Sequence, residues 1–196
     1  GSFAESAARA GFAPIDPMVA LGKLMPFGHL VAMDAGAGDA TAAIDAAVLE
    51  MSGCVVLSNK APLAMPYGSA GDALWAESGP RGRVRYEATC GAGLPILSTL
   101  RTLLDTGDTI KEITGTVSGT FGAIFSDVAS GTPFSEAVRV AKTNGYTEPD
   151  PRDDLSGLDV ARKALILALT VARNDDLGDI AIVGRVPDYM KLSRYV

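Results

Sequence analysis

Residues 145–172 (GYTEPDPRDDLSGLDVARKALILALTVA) join a crowded acidic loop to an apolar run. Glu148, Asp150, Asp153, Asp154 and Asp159 gather around Arg152 and Lys163, and the chain then reads ALILALTVA over 164–172. A run that is apolar on nearly every face forms a helix that has to be buried. Lys163 therefore stands where an acidic loop meets a buried helix, and an amine there is costly unless it is paired. Ser156 as N-cap, with Asp159 three residues on, forms a capping-box pattern that predicts the start of this helix. The same geometry puts Asp159 and Lys163 one turn apart on one face. The plain alternative is a solvated acidic surface with an ordinary i,i+4 ion pair, but carboxylates crowded about a desolvated lysine are a common functional arrangement. A calcium loop does not fit. Counted from Asp150, the sixth position is Leu155 where such a loop needs glycine, and Pro149 and Pro151 interrupt it.

The composition, 47% apolar and 20% charged over 196 residues, describes a soluble globular chain with one good core or two small ones. A net charge of -6 and the lack of a basic stripe argue against a nucleic-acid partner. No apolar stretch reaches membrane-spanning length, so no membrane partner is expected. Gly1-Ser2 reads as an expression remnant with no signal peptide after it. Cys54 and Cys90 lack CxxC spacing and sit among apolar or glycine residues, which predicts buried free thiols and a cytoplasmic location. The single histidine, His29, precedes an apolar strand and reads as structural.

Taken in order, residues 3–10 read as a helix broken by Gly11 through Pro17. LVAMD at 30–34 predicts a short buried strand ending in Asp34, followed by a turn of small residues that permits close approach of a ligand. Gly36 to Thr41 half-matches a dinucleotide fingerprint, with Thr41 where the third glycine belongs; a lone incomplete match is weak, and a plain strand-to-helix turn reads equally well. A helix over Asp39–Met51 and a buried strand over 54–57 complete a strand–helix–strand unit with parallel pairing. Ligands gather at the carboxyl ends of strands in such sheets, where the turn Ala35–Gly38 and Lys60 both fall. Lys60 reads equally as an exposed loop lysine.

A helix around Ser69–Glu77 carries Trp75, and Arg83–Thr89 reads as a third strand. The glycine-rich Cys90–Leu94 marks the seam. Pro95 opens a helix with Leu97, Leu100, Leu103 and Leu104 on its apolar face. Ile110–Val117 alternates like a strand. One helix follows Ser118-Gly119-Thr120, another runs from Thr132-Pro133 to Asn144-Gly145, and 179–186 is a last strand.

The stretch GYTEPDPRDDLSGLDVARK resembles the central signature of the homoserine dehydrogenase family. SNKAPLA at 58–64, EATCGAGLPI at 87–96 and TVSGT at 116–120 are similar to that family's other landmarks, in the same order. The resemblance covers roughly residues 30–185. It implies an α/β fold, with a partial Rossmann-like parallel layer in a nucleotide-binding domain over 1–93. An α+β substrate-binding and dimerisation domain with a mixed sheet (110–117 and 179–186) then occupies 94–196. It implies reduction of L-aspartate 4-semialdehyde, a small amino-acid substrate, to L-homoserine with NADP or NAD as cofactor, and a homodimer.

Residue by residue, the resemblance makes Lys163, Lys60 and Asp159 the catalytic set, with Lys163 as proton donor. Glu148, Asp154, Tyr146 and Thr120 would bind substrate, and Lys60, Ala35, Gly36 and Gly91 the cofactor. A structural sodium ion would rest on Glu87, Cys90, Ala92 and Leu94, mostly through backbone oxygens. Family members open with a complete GxGxxG turn and run on past a final strand, so the expectation is a homoserine dehydrogenase lacking part of its cofactor domain at both ends. The alternative is a non-catalytic dimerisation or substrate-binding module.

Overall fold

The computed structural model describes residue 11 and residues 15–24, 28–147 and 150–172. The expected helix over 3–10 and strand over 179–186 lie outside the described residues. The chain divides into two compact units, one through Tyr86 and one from Glu87.

The first unit contains α1 (Pro17–Leu24), β1 (Val31–Asp34), α2 (Ala42–Glu50), β2 (Cys54–Leu57), α3 (Gly71–Ala76) and β3 (Val84–Arg85). The strands form a parallel sheet in the order β1-β2-β3. Each crossover is a helix, as parallel pairing requires. The register sets Val31 against Cys54 and Asp34 against Leu57. Side chains alternate between sheet faces, so Val55 and Leu57 turn to the helix side and are fully buried with Val48, Leu74 and Val84. The opposite face is open among the described residues: Val31 is 58% exposed, Met33 79%, and Cys54 is exposed as well. Neither strand is buried on both faces, which corrects the expectation of buried strands and of two buried thiols. Only Cys90 is buried.

Trp75 anchors this unit. Its indole N–H donates to the Leu63 carbonyl at 2.9 Å, and its ring meets Tyr86 edge-on at 5.5 Å, the arrangement the ring quadrupoles favour. Gly53 is required by packing, because a Cβ there would lie 2.8 Å from the Val48 carbonyl oxygen. Arg83 then closes the carboxyl end of α2, donating to the carbonyls of Leu49 (2.7 Å) and Gly53 (3.2 Å) while pairing with Glu77. The guanidinium thus joins the last turn of α2, where the Leu49 carbonyl also accepts from the Ser52 N–H, to the residue that follows the turn.

The third strand is shorter than the sequence predicts. The last rung that β3 makes is Arg85 against Val56. With the ladder exhausted, Glu87–Thr89 coils into a 3-10 turn.

The second unit is helical among the described residues: α4 (Ile96–Asp105), α5 (Gly119–Ala129), α6 (Phe134–Thr143), α7 (Pro151–Leu155) and α8 (Leu158–Ala172). Helix α4 packs its Leu97–Leu100 stripe near α8, whose Ile166 and Leu167 are buried. Helices α5 and α6 meet through Ile124, Ala137 and Ala141, with Val128, Val138 and Leu155 against them. Ile110–Val117 is not a strand. It is mostly exposed, with Ile113 46% accessible, and alternation builds a strand only where a neighbouring strand completes the ladder.

Candidate active site

The capping box at the start of α8 does not form as predicted. Ser156 closes α7, and Gly157, at φ 72°, reverses the chain before α8 begins at Leu158. The Ser156 hydroxyl accepts from the Leu158 N–H at 3.2 Å. Asp159 still lies in the first turn of α8, at the positive end of the helix dipole.

From there its Oδ2 meets Lys163 Nζ at 2.6 Å, one turn on. The lysine side chain is 16% exposed and the aspartate 43%, so the amine is the more desolvated partner. Lys163 also donates to the Val117 carbonyl at 2.7 Å. An ammonium has three N–H donors; two acceptors fix its direction, and the third N–H can serve an incoming oxygen. The buried Cys90 thiol donates at 3.7 Å to the Lys163 backbone carbonyl. Three separate stretches of this unit thus converge on one lysine.

Thr120 is a second junction. Its hydroxyl lies 2.7 Å from the Tyr146 carbonyl and 3.0 Å from Asp154 Oδ1, so one proton serves two acceptors. This ties the start of α5 to the loop before α7. Ser118 caps α5 by accepting from the Phe121 N–H, which orients the 117–120 turn that reaches Lys163 and Asp154. The Tyr146 side chain is 58% exposed. Asp150 caps α7 through the Arg152 N–H at 3.0 Å and binds the Arg152 guanidinium, which together lower its carboxyl pKa to about 2. Glu148 lies outside the described residues.

The loop carrying Glu87, Cys90, Ala92 and Leu94 is tightly turned. Gly91 has φ +83°, and a Cβ there would lie 2.2 Å from Ile96 Cδ1. Glu87 Oε1 accepts from the Leu97 N–H at 3.1 Å, giving α4 the cap that Pro95 cannot. The Leu94 carbonyl accepts from the Ile96 N–H at 2.8 Å. Among the described residues no three His, Cys, Asp or Glu side chains are grouped to hold a metal. A cation on this loop would rest on carbonyl oxygens and Glu87, a set of hard donors that fits an alkali ion.

In the first unit the register brings Ala35, Gly36 and the loop bearing Lys60 to one sheet edge. Buried Asp34 organises that edge. Its Oδ1 accepts from the Gly36 N–H at 2.8 Å, and its Oδ2 from the Thr41 hydroxyl at 2.7 Å and the Asn59 amide at 3.1 Å. Asn59 also donates to the Gly38 carbonyl at 2.7 Å. A Cβ at Gly36 would come 3.0 Å from Asp34 Oδ1 and 3.2 Å from the Thr41 methyl, so a side chain there would press on the cluster that fixes the turn.

Sequence reasoning passed over Asp34, Thr41 and Asn59 as site organisers. The signal was available: an aspartate ending a strand, with a hydroxyl one helical start later. It also passed over the Val117 carbonyl, which carries no side-chain identity to read.

One unit carries a parallel β–α–β layer and the other a desolvated Lys–Asp pair, which defines an α/β chain. Residues 95–186 match the family model for homoserine dehydrogenase. The chain is 56% identical over 106 residues to the chloroplastic bifunctional aspartokinase/homoserine dehydrogenase 2 of Arabidopsis thaliana, covering 54% of this chain and 12% of that protein. It is 52% identical over 99 residues to the homoserine dehydrogenase of Saccharomyces cerevisiae, covering 48% and 28% respectively. A hyperthermophilic archaeal homoserine dehydrogenase solved in complex with NADPH superposes with TM-score 0.68 at 25% identity, over 85% of this chain and 53% of that one. The chain therefore resembles the homoserine dehydrogenases, and it spans about half or less of the relatives it matches.

Proposed function

We propose that this chain is a segment of a homoserine dehydrogenase that reduces L-aspartate 4-semialdehyde to L-homoserine, on the route to threonine and methionine. The observation that carries the reading is Lys163, desolvated and held between Asp159 and Val117, within the stretch that matches the family model. Aldehyde reduction needs a hydride on carbon and a proton on oxygen. NADPH or NADH, when bound, supplies the hydride. Lys163 donates the proton to the forming alkoxide oxygen, a contribution typically worth about 10²–10⁴ in rate. Asp159 keeps the ammonium aimed.

Glu148 binds the substrate ammonium, and Asp154, Tyr146 and Thr120 shape the pocket around it; the shared Thr120 proton supports this grouping. In the first unit Ala35, Gly36 and Lys60 would hold the nicotinamide nucleotide, and in the second Gly91 is the residue assigned to it. The place of this turn at the carboxyl end of the parallel sheet supports the first two. A sodium ion on Glu87 and the carbonyls of Cys90, Ala92 and Leu94 stiffens the loop that reaches Lys163. The protein is a homodimer of the cytoplasm. Exposed Leu103, Phe125, Phe134 and Val140 supply apolar surface for association. Among the described residues no helix is long and apolar enough to cross a membrane.

The test is made on the full-length protein carrying this segment. Lys163→Ala and Lys163→Arg are both expected to lose kcat by orders of magnitude with melts near wild type, because arginine holds the pair but does not release a proton near neutral pH. A largely active arginine variant would reduce Lys163 to an electrostatic anchor.

A further inference from the structure

Asp45, in the first turn of α2, is 3% exposed, and its Oδ2 is buried with no hydrogen-bond partner among the described residues. It stands one helical turn after Thr41, whose hydroxyl donates to Asp34, and α2 packs on the strand that Asp34 ends. Asp34 is already addressed by three donors, the Gly36 N–H, the Thr41 hydroxyl and the Asn59 amide. That donor set fits an ionised acceptor. Two ionised carboxylates side by side in a buried setting repel, and neither has a proton to offer the other. The conflict disappears if Asp45 keeps its proton and donates it to Asp34. The orphaned oxygen then has a partner, and the pair carries a single charge.

We infer that Asp34 and Asp45 share one proton as a clamp on the turn 35–38. With the proton in place, Asp34 holds Gly36, Thr41 and Asn59 and so fixes the turn against β2. When the proton leaves, two like charges face each other and the turn loosens.

The surroundings favour retention of the proton. Burial, then the Asp34 charge, then the hydrogen bond to Asp34 push the Asp45 carboxyl from 3.8 up to about 7. The helix dipole at the first turn favours the ionised form, and it is outweighed. Of the charged and titratable groups on the elements around α2, Asp34 is the one that faces Asp45. Lys23 of α1, Asp39 of the turn and Glu50 at the far end of α2 are exposed. Asp72 of α3 accepts from the Gly68 N–H. Arg83 is engaged by Leu49, Gly53 and Glu77. Cys54 lies at the opposite end of β2 from Leu57, and Lys60 follows Asn59 in the next loop.

The sign follows from the folded pKa being raised. Between about pH 4 and pH 7 the folded chain holds a proton that the unfolded chain has lost. Stability from this pair is therefore full below that window, falls across it and is flat above.

The experiment is a carboxyl-carbon NMR titration of the chain from pH 4 to 9, with thermal melts of wild type and Asp45→Asn. One aspartate carboxyl is expected to titrate near neutrality in wild type, with the Gly36 and Gly38 amide signals moving at the same midpoint. Asp45→Asn is expected to hold those signals still and to melt above wild type at pH 8. If the variant does not fold, the wild-type titration alone decides. An Asp45 carboxyl that ionises in the ordinary aspartate range overturns the proposal. So does a titration that added Mg²⁺ or Ca²⁺ abolishes, since a cation would then hold the pair.

Discussion

Lys163 and Asp159 meet at 2.6 Å across one turn of α8, and the lysine's second contact, to the Val117 carbonyl, comes from 46 residues earlier in the chain. The helix supplies one partner by periodicity and the tertiary fold supplies the other. The amine is thereby held from two sides, which an isolated surface pair would not achieve.

Asp159→Asn is expected to leave Lys163 its contact to Val117 and to keep α8 intact. The Asp159 end of the pair is 43% exposed, so water and the amide take over part of its role and the melt should move by no more than about 1 kcal/mol. Turnover of the full-length protein should fall by at least tenfold, because the ammonium loses the carboxylate that aims it. Equal losses in turnover and in thermal stability would mark Asp159 as a helix-start residue only.

Thr120→Val removes the hydroxyl shared by Tyr146 and Asp154 while keeping the branched shape. The expected result is a rise in KM for the amino-acid substrate of several-fold or more, with kcat less affected. Steady-state kinetics on the full-length protein would read this split directly. A change confined to kcat would point away from substrate positioning.

Gly91→Ala forces a side chain onto a backbone at φ +83° and against Ile96. Such strain costs about 1–3 kcal/mol. Denaturant melts should show the loss, and Gly91→Ala combined with Ile96→Val should recover the part due to the clash but not the part due to φ. Full recovery would mean that crowding alone, and not the backbone conformation, requires glycine.

Asp150 has a carboxyl lowered from 3.8 to about 2 by Arg152. Its folded pKa is depressed, so its contribution to α7 is present above about pH 4 and lost as pH falls towards 2. The Arg152 amide signal, which reports the cap, should titrate in that acid window. In Asp150→Asn the same signal should lose this titration while an amide oxygen keeps the cap.

The parallel layer, the helices and the Asp159–Lys163 face were legible in residue order. Short apolar runs with glycine-rich turns specify a strand–helix–strand unit, and i,i+4 spacing is a property of any α-helix. What residue order left open was decided by partners distant in sequence. Alternation over Ile110–Val117 is compatible with a strand, yet a strand exists only where a second backbone completes its hydrogen bonds, and among the described residues none does. Arg83–Thr89 pairs as a strand over two residues only, its last rung at Arg85 against Val56, before the chain coils at Glu87. Which face of β1 and β2 is covered also depended on where α2 packs, so the apolar Val31 and Met33 are exposed while the charged Asp34 is buried. Asp34, Asp45 and Asn59 illustrate the division best. Each is an ordinary polar residue in the sequence, 11 to 25 positions apart. Only the register of Asp34 against Leu57 and the seating of α2 over the sheet bring them together. Secondary structure follows from local pattern because its hydrogen bonds are local, whereas a buried polar cluster is the product of the whole fold closing around it.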